Sequence, residues 1–163
     1  MTYQRFEDVP VWREAINLGQ RIYAFTQQTP FQRQRSLRDQ IERAAVSVSN
    51  NIAEGFERGT TQELITFLYY ARGSAGEVRS MLWLMEGLPG FANSKSEILN
   101  LRCLSESCTR QLRAWADSLQ NSAIKGQRHL TEASRRRDQA AKRAAAFREK
   151  LKSMLPPRGA SAI

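Results

Sequence analysis

The segment RAAVSVSNNIAEG, Arg43 to Gly55, carries polar side chains able to do chemistry inside an apolar helical rhythm. Arg43, Ser47, Asn50, Asn51 and Glu54 fall at steps that share one side of a helix, while Leu37, Ile41, Ala44, Val48 and Ile52 take the other. Further along, Arg72 and Glu77 add a second guanidinium and a second carboxylate. Such a set can be a hydrolytic or metal cluster, a ligand pocket, a solvated face, or a network of hydrogen bonds. Hydrolysis needs a nucleophile beside a base, and a metal needs ligands at matched spacing. The single histidine, His129, lies in a basic segment near the end, and Cys103 and Cys108 are five apart with no C-x-x-C or C-x-x-H pattern. No catalytic residue, metal or cofactor is therefore expected. The alanines and serines on the polar side let another helix approach closely, and a buried polar group left unmet there costs about 1–3 kcal/mol. The expected answer is a network, within the bundle or at a subunit interface, in which Arg43 and Arg72 donate and Glu54 and Glu77 accept.

Helices must position these groups. Val11, Trp12, Ala15, Ile16, Leu18, Ile22, Tyr23 and Phe25 predict a first helix with a buried face, capped by Asp8 with Pro10 just inside. The polar, Pro30-containing segment from Thr26 to Arg35 reads as a connection, and a second helix starts near Ser36, with Asp39 in a capping-box-like position. Gly55 and Gly59 bracket its end, Thr60 or Thr61 caps a third with Glu63 in its first turn, and Gly87, Pro89 and Gly90 end that one. The third helix carries Leu64, Phe67, Leu68, Ala71, Ala75, Val78, Leu82 and Met85 as its stripe. A fourth, from about Ser94, carries Ile98, Leu101, Ser105, Cys108, Leu112, Trp115 and Leu119. Four helices with short connections and no credible strand predict an all-α, up-and-down four-helix bundle over residues 1–124, followed by a basic helical extension over residues 125–163. No apolar run reaches signal-peptide or membrane-span length, so a soluble, cytoplasmic protein is expected.

The formal charge of +9 is unevenly placed. Residues 1–124 hold 14 Lys and Arg against 13 Asp and Glu; residues 125–163 hold 11 against 3. The tail keeps an apolar seven-residue repeat through Leu130, Ala133, Ala140, Ala144, Phe147, Leu151 and Met154, broken once by Arg137, and it reads as helical or partly disordered. Lys125, Arg128, Arg135, Arg136, Arg137, Lys142, Arg143, Arg148, Lys150 and Lys152 are the expected nucleic-acid-binding residues. Neutralising phosphates releases counterions, so such binding falls steeply with salt. One aromatic, Phe147, predicts little base stacking and weak sequence preference. A solvated basic tail and an acidic protein partner are the competing readings; membrane binding would want a bulkier apolar face.

Three strings, FEDVPVWREA, LRDQIERAAVSVSNNIAEG and ELITFLYYARGSAGEV, stand in an order and spacing that resemble a bacterial four-helix-bundle family named for reading frames in 23S ribosomal RNA intervening sequences. The likeness covers about residues 6–120. The family's NIAEG element matches Asn51, Ile52, Ala53, Glu54 and Gly55, and its A-x-G-S element matches Ala71, Arg72, Gly73 and Ser74. Ser49 stands where the family usually has proline, which removes the cause of any kink tied to that proline. The resemblance implies a ring-like homopentamer. Its more distant relatives include the accessory variability proteins of diversity-generating retroelements, which partner a reverse transcriptase and its RNA. On that implication Arg43, Asn51, Glu54, Arg72 and Glu77 join helices two and three or join subunits. The expected function is a non-enzymatic, pentameric binder of RNA, DNA or an RNA–DNA hybrid, accessory to a reverse transcriptase or another ribonucleoprotein. The alternative is a protein-interaction scaffold whose tail docks an acidic partner.

Overall fold

Four stretches that place an apolar residue every three or four positions become helices: α1 (Pro10–Thr26), α2 (Arg35–Glu57), α3 (Thr61–Glu86) and α4 (Lys95–Gln120). The computed structural model describes residues 3–121, 140 and 143–149, and the described elements are all helical. The chain divides into two units, Met1–Arg128 and His129–Ile163; in the second, residues 140 and 143–149 are helical.

Contacts between distant residues set the direction of each helix. Arg21 reaches Glu97, and Gln111 donates to Glu14, so α1 and α4 run antiparallel. The Ser47–Ser74 and Gly55–Phe67 approaches make α2 and α3 antiparallel, and Glu86–Arg102 with Ala75–Ser105 do the same for α3 and α4. One face of each helix thereby enters a shared core built on Leu18, Ile22, Ile41, Ile52, Leu68, Leu82, Ile98 and Leu112. Each such side chain stabilises the fold by about 1.5–3 kcal/mol relative to exposure. Ser105 is fully buried among them, and its hydroxyl donates to the Ala75 carbonyl at 2.6 Å. That bond removes the cost of the buried hydroxyl and ties α4 to α3.

The helices depart from the sequence expectation in three places. Phe6–Asp8 winds into a turn of 3-10 helix, so Val9 becomes the cap of α1; Asp8 makes no capping bond and faces Arg13 at 3.7 Å. Ser36 lies inside α2, behind Gln34 as the cap, and accepts from Gln40. Tyr23 is 45% exposed, because the core takes Ile22 and Phe25 on either side of it. Gly55 and Gly59 bracket the end of α2 at Glu57 as expected, with Gly55 buried in the last turn of the helix. The polar connection after α1 hides an anchor: Phe31 packs edge-on to Phe25 at 5.2 Å and to Phe91 at 5.0 Å, closing one end of the core with rings from two loops. At α3 the expected cap is present, with Thr60 Oγ1 accepting from the Glu63 N–H at 3.2 Å while its hydroxyl reaches Glu63 Oε2 at 2.7 Å. Helix α2 continues through Ser49, whose hydroxyl donates to the Val46 carbonyl at 3.1 Å.

Candidate functional site

The polar residues of α2 and α3 meet along the outer seam between the two helices. Asn51 Nδ2 donates to the Ser47 carbonyl at 2.8 Å and to Ser47 Oγ at 3.0 Å, and Ser74 Oγ lies 3.0 Å from Ser47 Oγ and 3.1 Å from the Tyr70 carbonyl. A small side chain at each place is required, because hydroxyls span this distance only when the backbones are close. Each neutral bond is worth about 0.5–1.5 kcal/mol net. Ser74 is the member that reasoning from polar spacing missed; its only signal was its place beside Arg72 and Gly73 in the YYARGS string.

The charged members of the expected network sit outside this seam of bonds. Glu54 pairs with Arg58 at 2.6 Å on its own helix, and that ion pair holds the Arg58 pKa above its ordinary value. Arg72 stands 5.7 Å from the centre of the Tyr69 ring, also on its own helix. Arg43, Asn50 and Glu77 are exposed and make no hydrogen bond or ion pair among the described residues. They line two shallow grooves. One, of about 410 Å³, runs between α2 and α3 and includes Arg43, Ser47, Glu77, Ser80 and Met81; the other, of about 390 Å³, includes Tyr23, Arg43, Asn50, Asn51 and Glu54. The seam thus presents a guanidinium, a carboxylate and several amides and hydroxyls to whatever lies outside it.

A second cluster, with no signal in local spacing, lies between α3 and α4. The Arg102 guanidinium sits 3.5 Å from the centre of the Trp83 ring and pairs with Glu86, while Trp83 itself is 59% exposed. Both cysteines are free: Cys103 is exposed, and burial pushes the Cys108 thiol up to about 12. Among the described residues no group of three or more His, Cys, Asp or Glu gathers to hold a metal ion, and no helix is long and apolar enough to cross a membrane.

Of the expected nucleic-acid-binding residues, Arg143 and Arg148 are helical and exposed. Lys125, Arg128, Arg135, Arg136, Arg137, Lys142, Lys150 and Lys152 lie outside the described residues.

The family model of the 23S rRNA-intervening sequence protein matches residues 7–113. The chain belongs to that family. The match starts just ahead of α1 and ends within α4, so the whole Ser47–Asn51–Ser74 seam and both grooves are family territory, while the basic tail is not. No curated protein matches this member of the family.

Proposed function

We propose that this chain is a non-enzymatic, cytoplasmic nucleic-acid-binding protein: an up-and-down four-helix bundle over residues 1–124 that assembles as a homopentamer and carries a basic tail over residues 125–163. Its ligand is RNA or an RNA–DNA hybrid, bound through the backbone, and its role is that of an accessory subunit to a reverse transcriptase or another ribonucleoprotein. The observation that carries the reading is the partition of charge. The bundle region is nearly neutral, with 14 basic against 13 acidic residues, while the tail holds 11 against 3. Phosphate neutralisation by the tail supplies affinity without base readout. Assembly multiplies it, since tails on one particle bind a polyanion with an avidity that no single tail has. Membership of a family named for intervening sequences in 23S rRNA supports an RNA-related role.

The test is binding of labelled single-stranded RNA and duplex DNA across a salt series. The full chain is compared with a full-length variant in which Arg135, Arg136, Arg137, Lys142 and Arg143 are changed to Gln. A steep salt slope for the native chain, flattened in the variant, supports the reading. No binding by the native chain at low salt overturns it and favours the scaffold whose tail docks an acidic protein.

A further inference from the structure

Helix α3 carries a further line of side chains, distinct from its core stripe and from the seam with α2. Tyr69, Arg72, Gly76, Arg79 and Trp83 recur at steps of three and four. Two contacts place that line along the border with α4: Gln120 Nε2 donates to the Tyr69 hydroxyl at 3.0 Å, and the Arg102 guanidinium sits over the Trp83 ring at 3.5 Å. Side chains of α4 thus hold both rings of the line, and Glu86 holds Arg102 in turn. The rings still face water. Tyr69 is 40% exposed and Trp83 59%, and because Arg102 covers one face of the indole, the open face is the other. A ring ordered before its ligand arrives saves that ligand the entropy of fixing it.

The charges along the line say what stacks there. Arg72 and Arg79 have no carboxylate partner among the described residues. The carboxylates of α4 do not supply one, since Glu97 pairs with Arg21, Glu106 with Arg110 and Asp117 with Arg113. Two guanidinium charges in excess therefore lie between two exposed rings. From Tyr69 to Trp83 is roughly 21 Å along the helix, the length of about six nucleotides at a rise of about 3.4 Å. Rings that stack bases, with cations between them for the backbone, are what a single strand binds. A duplex keeps its base faces in its own stack and can use only the cations.

We infer that the α3–α4 border binds a single strand of RNA, with bases stacked on Trp83 and Tyr69 and the phosphates between them on Arg72 and Arg79. The site lies in the bundle and does not depend on the tail, whose one aromatic, Phe147, offers little stacking. It adds what the tail does not supply, a preference for single strands over duplex.

The test isolates the bundle by taking as parent the full-length chain with Arg135, Arg136, Arg137, Lys142 and Arg143 changed to Gln. Fluorescence anisotropy measures its binding to labelled single-stranded and duplex RNA of about 12 nucleotides across a salt series, with circular dichroism checking each fold. The parent is expected to bind the single strand at least about tenfold tighter than the duplex, with quenching of tryptophan emission. Adding Trp83→Leu is expected to weaken single-strand binding by about five- to a hundredfold, the worth of one base–aromatic stack, while Trp83→Phe keeps most of it. Adding Arg79→Gln is expected to keep the fold and lower the salt slope by about 0.7, the release tied to one phosphate of a single strand. A parent that binds both forms equally, or folded Trp83→Leu and Arg79→Gln variants that bind single strands as the parent does, overturns the site. A parent that loses all binding while the native chain keeps it overturns the site and leaves the tail reading standing. A parent that binds as the native chain does, and loses that binding with Trp83→Leu, supports the site and overturns the tail reading.

Discussion

Gly55 on α2 faces Phe67 on α3 so closely that a Cβ at Gly55 would stand 2.5 Å from the Phe67 Cβ. The clash is with an atom fixed to the α3 backbone, so no side-chain rotation relieves it; the helices must part. Gly55→Ala is expected to destabilise the fold by about 1–3 kcal/mol despite alanine's better helix propensity. Chemical denaturation of the two proteins measures it, and an unchanged midpoint would show that α2 and α3 do not approach this closely.

The Ser47–Ser74 contact bridges 27 residues of sequence at 3.0 Å. Ser47→Ala and Ser74→Ala are each expected to cost about 1 kcal/mol, and the double variant less than their sum, with a coupling of about 0.5–1.5 kcal/mol. Strict additivity in the double-mutant cycle would mean that the hydroxyls do not interact.

Thr60 caps α3 through the Glu63 N–H. Thr60→Ala is expected to lower stability by about 1 kcal/mol and Thr60→Ser to retain most of it, since a serine hydroxyl still accepts from the Glu63 N–H and still donates to the Glu63 carboxylate. A thermal melt of each variant checks the order.

Cys108 is fully buried, and its thiol is pushed from an ordinary value of 9.0 up to about 12 by burial first and then by the nearby Glu14 carboxylate. The folded pKa is above the unfolded one, so this group's contribution to stability is complete below pH 9 and is lost as pH rises toward 12. The loss amounts to about 4 kcal/mol at the upper end of that window. A thiol reagent at neutral pH is expected to modify exposed Cys103 at once and Cys108 only on unfolding, and Cys108→Ala to flatten the alkaline loss of stability. Equal reaction of both thiols in the folded protein would contradict the burial.

Much of the fold was legible because the inward stripes of α1 to α4 repeat every three or four residues, and burial followed that repeat almost residue by residue. The caps at Asp8 and Ser36 were misread for a local reason: a 3-10 turn and a preceding Gln–Arg pair moved the helix starts by a residue or two, and capping preferences alone do not fix that register. Phe31 was hidden in a polar connection because its partners, Phe25 and Phe91, come from separate parts of the chain.

The candidate site divides in the same way. Sequence spacing alone determined that Arg43, Ser47, Asn51 and Glu54 share a side of one helix, that the bundle is near neutral, and that the tail carries the excess positive charge, for these follow from residue order and helical periodicity. Which of those polar groups bond across helices, and which face outward, was decided only by tertiary structure. Glu54 takes the guanidinium one turn away, Ser47 takes a hydroxyl from the next helix, and Glu77 and Arg43 are left to the outside. The reason is distance: short side chains bond across α2 and α3 where the glycine and serines let the backbones close, and the long charged ones extend past the seam into the grooves beyond it.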